Sequence, residues 1–354
     1  MSAQKPQHIG LSLGMIDSLS DGLGEFSTQL CERVAKAAPA WREKNIHFHL
    51  HMPQRWHGRF GDNVSYITTS KLQGYWHWQG RPHFSVWHAF NQLGRIIPPF
   101  FTSRSVLTIH DLNFLYHENE RRQKRALTKL QGRLRKFDEV TTLTRYVEKD
   151  IQQRLGWTGP VTVIPNGARD LTSHAQEPIP DLPAGRFLLH LSRLAASKNP
   201  GCLVELAAAW PEQVIVLAGP YSVEAEHFRM QAQRRGLHNL RLLREVSDAQ
   251  KTWLYAHCQA FLFPSLTEGF GLPPLEAMHF GKPVFLSDRT SLPEIGGSCA
   301  SYFKSFDPLA MRNQIETDSP GLLARTVAIR THAANFSWDK TMVEYMKIYQ
   351  RMLA

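Results

Sequence analysis

The sequence lacks the features that mark membrane-spanning, disulfide-rich or disordered proteins. Its longest apolar runs, such as Val214–Ala218, fall far below the roughly 18 residues of a membrane span. Only four of the 354 residues are cysteines, and no CxxC pair occurs, so neither a disulfide framework nor a zinc knuckle is expected. A hydrophobic share of 42% excludes a disordered chain. With no signal-peptide cleavage pattern at the N-terminus, these absences predict a cytoplasmic protein. Its 354 residues, at roughly 150 per domain, suggest two domains.

Negative charge is scarce in the first half of the chain. Residues 1–165 contain 22 Lys and Arg against 13 Asp and Glu, whereas residues 166–354 contain 19 against 18. The formal net charge of +10 is therefore a property of the first half. Eight cations fall within one predicted helix over about 119–137, and these are Arg121, Arg122, Lys124, Arg125, Lys129, Arg133, Arg135 and Lys136.

That basic helix also has an apolar stripe. Leu127, Leu130, Leu134 and Phe137 recur at helical spacing, which predicts that the helix packs on a core. Its cationic face is either simply solvated or contacts an anionic surface such as phospholipid headgroups. No nucleic-acid partner is expected, because no recognisable reading motif accompanies the charge.

Short apolar strands alternate with amphipathic helices along the chain, which predicts parallel sheets covered by helices. The predicted strands of the first half are 8–15, 46–52, 105–109, 140–143 and 161–164, and those of the second are 186–191, 213–218, 240–244, 259–263 and 283–287. The Pro165-Asn-Gly167 turn separates the two series. We therefore predict an α/β protein with two Rossmann-like, doubly wound domains that face each other across a cleft. The expected domains are 1–165 and 166–335, followed by a terminal helical segment, 336–354.

The strongest motif is Pro264-Ser-Leu-Thr-Glu-Gly-Phe-Gly-Leu-Pro-Pro-Leu-Glu-Ala-Met278, between a strand and a helix. Gly269 and Gly271 would let the backbone pass close to a ligand. Glu268 is predicted at the strand end and Glu276 in the first helical turn. Two carboxylates there suit hydroxyl groups, since an ionised Glu can accept hydrogen bonds from both hydroxyls of a vicinal diol. Taken alone, Glu276 is also compatible with a simple helix-dipole partner.

A second cluster lies in Leu188-Leu-His-Leu-Ser-Arg-Leu-Ala-Ala-Ser-Lys-Asn-Pro200. Here a buried strand is predicted to end at Arg193, and Lys198 follows just before a helix that Asn199 and Pro200 open. Two cations beside a helix N-terminus suit a diphosphate. A lone Arg and Lys at such places are otherwise ordinary surface charges.

These segments, together with Leu217-Ala-Gly-Pro220 and Ser291-Leu-Pro-Glu-Ile-Gly296, resemble the retaining glycosyltransferases of family 4, which have the GT-B fold. The resemblance covers 186–300 and is weaker in the first half, at Asp21-Gly-Leu-Gly-Glu-Phe26, Thr108-Ile-His-Asp-Leu-Asn-Phe114 and Val163-Ile-Pro-Asn-Gly167. The Phe-Ser-Trp-Asp-Lys segment at 336–340 resembles the family's last helix, which crosses back onto the first domain.

The resemblance implies a role for each matching residue. Arg193 and Lys198 would hold the donor diphosphate, and Glu276 would bind the ribose hydroxyls. Glu268, with Gly269 and the backbone of Phe270, Gly271 and Leu272, would hold the transferred sugar. Gly219 and Val246 would lie at the donor, the latter beside the base. Gly22 and Gly24 would bring a loop close to the phosphates, and His110 would lie near the reaction centre.

Three features of the first half have more than one interpretation. Many relatives have two adjacent glycines where this chain has Asp21-Gly22, so Asp21 is expected to point away from the phosphates, toward the acceptor. His110 alternatively reads as a satisfied strand-end histidine capped by Asp111. The imidazoles of His47, His49 and His51 would recur about 6.6 Å apart on one strand face, too extended for one tetrahedral ion, so no metal site is predicted.

Together these features predict a hexosyltransferase that acts with retention on a nucleotide-sugar, with GDP-mannose as the first donor candidate. The resemblance points to surface polysaccharide or lipopolysaccharide assembly, with a glycan or lipid-linked acceptor. The tryptophan-containing loops Trp76-His-Trp78 and Trp87-His88 are expected to contact this acceptor.

No cofactor or divalent metal is expected, since the chain has no Asp-x-Asp motif. The localisation predicted is cytoplasmic or peripheral on the inner face of the membrane, through Arg121–Lys136. An epimerase or hydrolase on the same fold and a basic binding module remain alternatives.

Overall fold

The computed structural model describes residues 5–19, 21–69, 81–93, 97–116, 119–182 and 184–354. Contacts divide the chain into two compact units. The first comprises Met1–Gly167 together with Trp338–Ala354, and the second comprises Ala168–Ser337. Each unit contains one parallel sheet with helices, as the alternation of strands and helices predicted.

The first unit is built on a sheet of seven strands in the order β3-β2-β1-β4-β5-β6-β7. Its strands are β1 (Gln7–Ser12), β2 (Ile46–Met52), β3 (Ser65–Thr68), β4 (Phe84–Ala89), β5 (Thr102–Ile109), β6 (Glu139–Thr142) and β7 (Val161–Val163). The strands pair in parallel, with Gly10 opposite His49 in β2 and Trp87 in β4. Because β1 and β4 lie side by side at the centre, the strand order reverses between them.

Helices of the first unit include the C-terminal one. They are α1 (Gly22–Arg42), α2 (Glu120–Leu134), α3 (Arg145–Leu155) and α11 (Trp338–Leu353). Tyr345 and Tyr349 of α11 are fully buried. His88 of β4 bonds the Tyr349 hydroxyl at 2.7 Å through Nδ1 and Thr108 Oγ1 at 2.7 Å through Nε2. A buried polar network thus ties the last helix to the centre of this sheet.

The second unit has a sheet of six parallel strands in the order β10-β9-β8-β11-β12-β13. Its strands are β8 (Phe187–Leu191), β9 (Val214–Gly219), β10 (Leu240–Arg244), β11 (Ala260–Phe263), β12 (Val284–Ser287) and β13 (Ser301–Phe303). Its helices are α4 (Pro200–Ala209), α5 (Val223–Arg234), α6 (Asp248–His257), α7 (Leu272–His279), α8 (Leu292–Gly296), α9 (Pro308–Leu323) and α10 (Thr326–Ala334). The strand order reverses between β8 and β11, and in open parallel sheets ligands bind outside the carboxyl ends of strands at such a point.

The sequence analysis missed two strands of the first sheet, β3 and β4. The assignment of Trp87-His88 to an acceptor loop is wrong, because both residues lie in β4 and are fully buried. Strand β4 is central in the sheet, and helices pack on it: Trp87 shares a buried cluster with residues of α2 and α3, whereas His88 bonds Tyr349 of α11, so both residues belong to the core. The companion segment Trp76-His-Trp78 lies outside the described residues.

The basic helix is shorter than predicted, and one of its cations faces inward. Arg133 is 9% exposed and donates a hydrogen bond of 2.6 Å from Nη1 to the carbonyl of Gln92. Burial lowers its pKa to about 10. The predicted apolar stripe is confirmed, since Leu130 and Leu134 are buried and Leu127 packs against the core. Within the described ranges, we find no helix with the length and apolarity that crossing a membrane requires.

Candidate active site

The turn after β8 presents Arg193. Strand β8 ends at Leu191, as the predicted strand 186–191 does, so Arg193 lies in the turn after the strand rather than at its end. The reason is local: the hydroxyl of Ser192 accepts a hydrogen bond of 3.0 Å from the amide of Leu194, whose φ of 53° bends the chain away from the strand. Arg193 is exposed and makes no hydrogen bond or ion pair within the part of the chain that is described.

Lys198 ends a short 3-10 helix, Ala196–Lys198, just before α4, as the sequence predicted. Its Nζ lies 2.5 Å from Glu268 Oε1, and the side chains of this pair are only 14% and 10% exposed. Ser265 donates a hydrogen bond of 2.7 Å to the same carboxylate oxygen. The two loops are also joined through the backbone, since the amide of Leu266 donates to the carbonyl of Ser197 at 2.7 Å. The carboxyl ends of β8 and β11 are therefore linked at the reversal of strand order.

Glu268 is not at the strand end, because β11 already stops at Phe263. Side chains from the loop after β12 hold it instead. The amide of Glu268 donates to Thr290 Oγ1 at 3.0 Å. Ser291 Oγ donates to the carbonyls of Glu268 and Phe270, at 3.0 and 3.1 Å. Phe270 is itself buried, at 5% exposed.

Gly271 makes the break between this loop and α7. Its φ of +121° is a conformation that residues with a side chain rarely adopt, and the Gly269–Gly271 segment is buried. Because Gly271 occupies the cap, α7 begins at Leu272 and Glu276 is its fifth residue. The prediction that Glu276 lies in the first helical turn is therefore wrong, and the first turn contains no acidic residue.

Glu276 instead lies one turn further along α7, where α6 contacts it. Its Oε2 accepts an ion pair from Lys251 Nζ at 2.7 Å and a hydrogen bond from the Tyr255 hydroxyl at 2.8 Å. Burial, and then the adjacent carboxylate, raise the pKa of Tyr255 well above its usual value, so the phenol stays protonated and donates. The second acid of the motif is thus fixed in orientation before any ligand binds.

The other predicted donor residues of this unit lie at the ends of β9 and β10. A Cβ added to Gly219 would stand 1.9 Å from the carbonyl oxygen of Ser192, so only glycine allows β9 to pass this turn. The carbonyl of Gly219 accepts a hydrogen bond of 3.1 Å from the amide of Glu245. Val246 follows and is half-buried.

In the first unit, Gly22 and Gly24 lie in α1 rather than in a loop. Asp21 is the cap of that helix, and its carboxylate accepts a hydrogen bond of 2.8 Å from the amide of Gly24. One oxygen of this carboxylate thus has a capping role, and the expectation that Asp21 points toward the acceptor stays a prediction. A Cβ on Gly24 would lie 2.4 Å from the backbone of Leu19, whereas one on Gly22 would meet nothing within 4 Å.

His110 follows β5 and is 6% exposed. Its Nε2 lies 2.7 Å from the carbonyl of Phe90, so Nε2 carries the proton and donates. Burial is the main reason that the pKa of His110 falls to about 4, which keeps the imidazole neutral at pH 7. Asp111 Oδ1 accepts from the amide of Asn113 at 3.0 Å, so this carboxylate begins the next turn.

The three histidines of β2 do not share one environment. His51 is fully buried and hydrogen-bonds Ser12 at 2.9 Å, whereas His49 bonds His8 at 2.9 Å. Across the described residues, no group of three or more His, Cys, Asp and Glu side chains has the arrangement of a metal site.

Sequence reasoning missed several residues that build this site. Lys251 and Tyr255 are four residues apart, so they share one face of α6. This spacing is the sequence feature that could have indicated that they act together. Ser265 and Ser291 belong to the motifs at 264–278 and 291–296. Their roles could not be inferred from the sequence, because they depend on hydrogen bonds that form only in the folded chain. In the sequence, His190 is recognisable only as one polar residue within an apolar strand.

The fold is that of an α/β protein with two units, each built on one parallel sheet, as in the GT-B class. Residues 175–301 match the family described as "Glycosyl transferases group 1". Over this stretch, about a third of the chain, the resemblance stated from the motifs is confirmed.

Relatives with similar sequences include mannosyltransferases. The chain is 32% identical over 180 residues to the serotype-specific mannosyltransferase WbdA of Escherichia coli, an alignment that covers 47% of this chain and 22% of that protein. It is 30% identical over 175 residues to the O-antigen chain mannosyltransferase B of the same organism, covering 46% of this chain and 45% of that protein. The chain thus spans about a fifth to under half of the length of these relatives.

Solved structures confirm the fold along the whole chain. Sucrose-phosphate synthase from Thermosynechococcus elongatus has a TM-score of 0.76 at 18% identity, covering 98% of this chain and 99% of that one. WaaG, a glycosyltransferase involved in lipopolysaccharide biosynthesis, has a TM-score of 0.68 at 16% identity, covering 96% and 99%. At such identities the likeness concerns the fold alone.

Proposed function

We propose that this protein is a retaining hexosyltransferase that uses a nucleotide-sugar donor. The observation that carries the proposal is the arrangement at the carboxyl ends of β8 and β11. There the exposed guanidinium of Arg193 shares a turn with Lys198, which is ion-paired to Glu268. This combination supplies positive charge for a diphosphate beside carboxylates for hydroxyl groups.

The physical basis is stabilisation of a leaving group. When the bond between the sugar and the diphosphate breaks, negative charge develops on the diphosphate and positive charge at the anomeric carbon. Arg193 and Lys198 would stabilise the first of these, more strongly in the transition state than in the ground state. Glu268 would hold the sugar, and Glu276, oriented by Lys251 and Tyr255, would bind ribose hydroxyls. From the first unit, His110 would lie near the reaction centre as a catalytic residue.

For the donor we propose GDP-mannose, and for the pathway the assembly of surface polysaccharide or lipopolysaccharide. Relatives named as mannosyltransferases, two of them for the O-antigen chain, support this choice. The proposed acceptor is a glycan or lipid-linked glycan. The proposal includes no metal ion or other cofactor and no nucleic-acid partner.

We further propose that the enzyme works in the cytoplasm, peripherally on the inner face of the membrane. The exposed cations Arg122, Arg125 and Lys129 of α2 support this location, because they would attract anionic headgroups.

The decisive experiment has two stages. The first screens GDP, UDP, ADP and dTDP by thermal shift, since a ligand that binds only the folded state raises the melting temperature. We expect the largest shift with GDP. The second incubates GDP-[14C]mannose with and without a lipid-linked glycan acceptor, in buffer containing EDTA. Transfer only in the presence of acceptor, with an α-linkage by NMR, is the expected result. Consumption of donor without acceptor would identify an epimerase or hydrolase instead.

A further inference from the structure

Arg193 stands on a turn that is built by a buried histidine. His190 is the one polar residue of β8, between Leu189 and Leu191, and it is completely buried. Its Nδ1 lies 2.9 Å from the carbonyl of Leu262 in β11, and its Nε2 lies 2.7 Å from Ser192 Oγ.

The partners fix the direction of each hydrogen bond. A carbonyl can only accept, so Nδ1 of His190 carries the proton and donates to Leu262. Nε2 is then an acceptor, and the hydroxyl of Ser192 donates to it. The same oxygen accepts from the amide of Leu194 at 3.0 Å. One continuous chain of hydrogen bonds therefore runs from β11 through His190 and Ser192 to the residue that follows Arg193.

The imidazole is suited to this task only while it is neutral. Burial is the main cause that lowers the pKa of His190 to about 4, and the nearby charge of Lys198 lowers it further. At neutral pH the ring therefore has one donor and one acceptor nitrogen, as the chain of hydrogen bonds requires.

The neighbouring strand β9 holds the same turn from its other side. The amide of Ser192 donates to the carbonyl of Ala218 at 3.0 Å. At Gly219, the backbone of β9 approaches the carbonyl of Ser192 so closely that no side chain fits. The backbone on both sides of Arg193 is thus fixed, whereas its side chain extends into solvent.

We propose that His190 and Ser192 are positioning residues that aim Arg193 at the diphosphate of the donor. The inference rests on the proposed function, because it assigns these residues to the same donor site. A buried imidazole costs free energy that an apolar residue in the same strand would not, since a polar group must be desolvated and bonded again. The hydrogen bond between Ser192 and His190 offsets this cost, and it fixes the turn that carries the exposed Arg193.

The test measures binding of GDP and GMP by calorimetry to the full chain and its variants, using whichever nucleoside diphosphate binds best if GDP does not. His190→Asn can keep a donor toward Leu262 but loses the acceptor for Ser192, and His190→Gln can place an oxygen near the position of Nε2. Ser192→Ala removes the hydroxyl altogether. We expect His190→Asn and Ser192→Ala to weaken diphosphate binding about tenfold while GMP binding changes less than about twofold, with partial rescue in His190→Gln.

A double-mutant cycle gives a second readout. If His190 acts through Arg193, the loss from His190→Asn disappears in an Arg193→Ala background, whereas independent effects add. His88→Asn is the matched control, because His88 is an equally buried, doubly bonded histidine of the first unit. It should lower stability without changing the affinity for diphosphate.

The outcomes separate the two proposals. Equal diphosphate affinity in the wild type, His190→Asn and Ser192→Ala overturns the positioning role and leaves the proposed function standing. An equal loss of GMP and diphosphate binding would also overturn the positioning role, because it would indicate general damage to the domain. A wild-type protein that binds no nucleoside diphosphate overturns the proposed function itself. If His190→Asn does not fold, Ser192→Ala and His190→Gln decide the question.

Discussion

Lys198 Nζ lies 2.5 Å from Glu268 Oε1, so one of the two cations predicted to bind diphosphate already has a carboxylate partner. Arg193, five residues earlier, has none among the described residues. The two side chains are therefore expected to respond differently to removal, although the sequence assigned them the same role.

Replacing Arg193 by Ala should lower kcat/KM at least tenfold and leave the melting temperature unchanged, because an exposed side chain without partners contributes little to stability. Lys198→Ala should lower activity by a similar factor and also destabilise the fold by about 3 kcal/mol, since it leaves the carboxylate of Glu268 buried without its cation. Steady-state kinetics and urea unfolding measure the two effects. The double variant Lys198→Met/Glu268→Gln is the control and should regain stability but not activity. Near-normal turnover in Arg193→Ala would contradict the proposed role.

Gly22 and Gly24 of α1 allow a controlled comparison, because a Cβ would clash at Gly24 and would meet open space at Gly22. Gly24→Ala should destabilise the first unit by about 1 to 3 kcal/mol, because its Cβ would lie 2.4 Å from the backbone of Leu19. Gly22→Ala should be neutral or stabilising by up to about 1 kcal/mol, since its Cβ has open space and alanine favours the helix. If Gly22 approaches the donor phosphates, Gly22→Ala still weakens donor binding while the fold is intact. Unchanged donor affinity in that variant would remove Gly22 from the site.

Stability should fall as the pH is lowered from 7 to 5. Burial lowers the pKa of His49, His110 and His190 to about 4 and that of His88 to about 3. These rings are neutral in the folded state, whereas the unfolded chain binds protons below its pKa of about 6.5. The stabilisation is therefore fully present above that value and is lost as the pH falls toward the folded-state pKa.

Urea unfolding at several pH values measures this dependence. His88→Asn should make the slope of unfolding free energy against pH shallower by up to about 1.4 kcal/mol per unit, the contribution of one proton. A wild-type slope of zero between pH 7 and 5 would be inconsistent with buried neutral imidazoles.

Replacing Arg122, Arg125 and Lys129 by Gln should reduce binding to vesicles that contain phosphatidylglycerol, since each cation near an anionic surface contributes about 1 kcal/mol. Arg133 is left in place because it is buried and supports Gln92. The comparison variant replaces Arg186, Arg234 and Arg325, which are exposed cations of the second unit. Sedimentation with vesicles at low and physiological salt measures the difference. Equal loss in both triple variants, or none in either, would leave α2 as a solvated helix face.

The motif of the second domain was readable because its constraints are local. A strand, a glycine-rich turn and two prolines predicted where α7 begins, and the two glutamates were visible in the same window. The sequence did not indicate that each would be paired with a lysine, since Lys251 lies on a different helix and Lys198 follows a different strand. Nor did it reveal β4, because Trp87 and His88 are buried only by helices that are distant from them in the chain.

By itself, the sequence indicated the alternation of strands and helices, the two-domain α/β fold and the residues that we propose for the nucleotide-sugar site. These follow from hydrophobic periodicity and short-range backbone chemistry. Only the tertiary structure decided which charges are already neutralised, and that His190, bonded to Leu262 of β11, holds the turn at Arg193 together with Ser192. Those properties depend on hydrogen bonds and burial between segments far apart in the chain, and the free energy of a buried charge or imidazole is set by the partners that folding brings beside it.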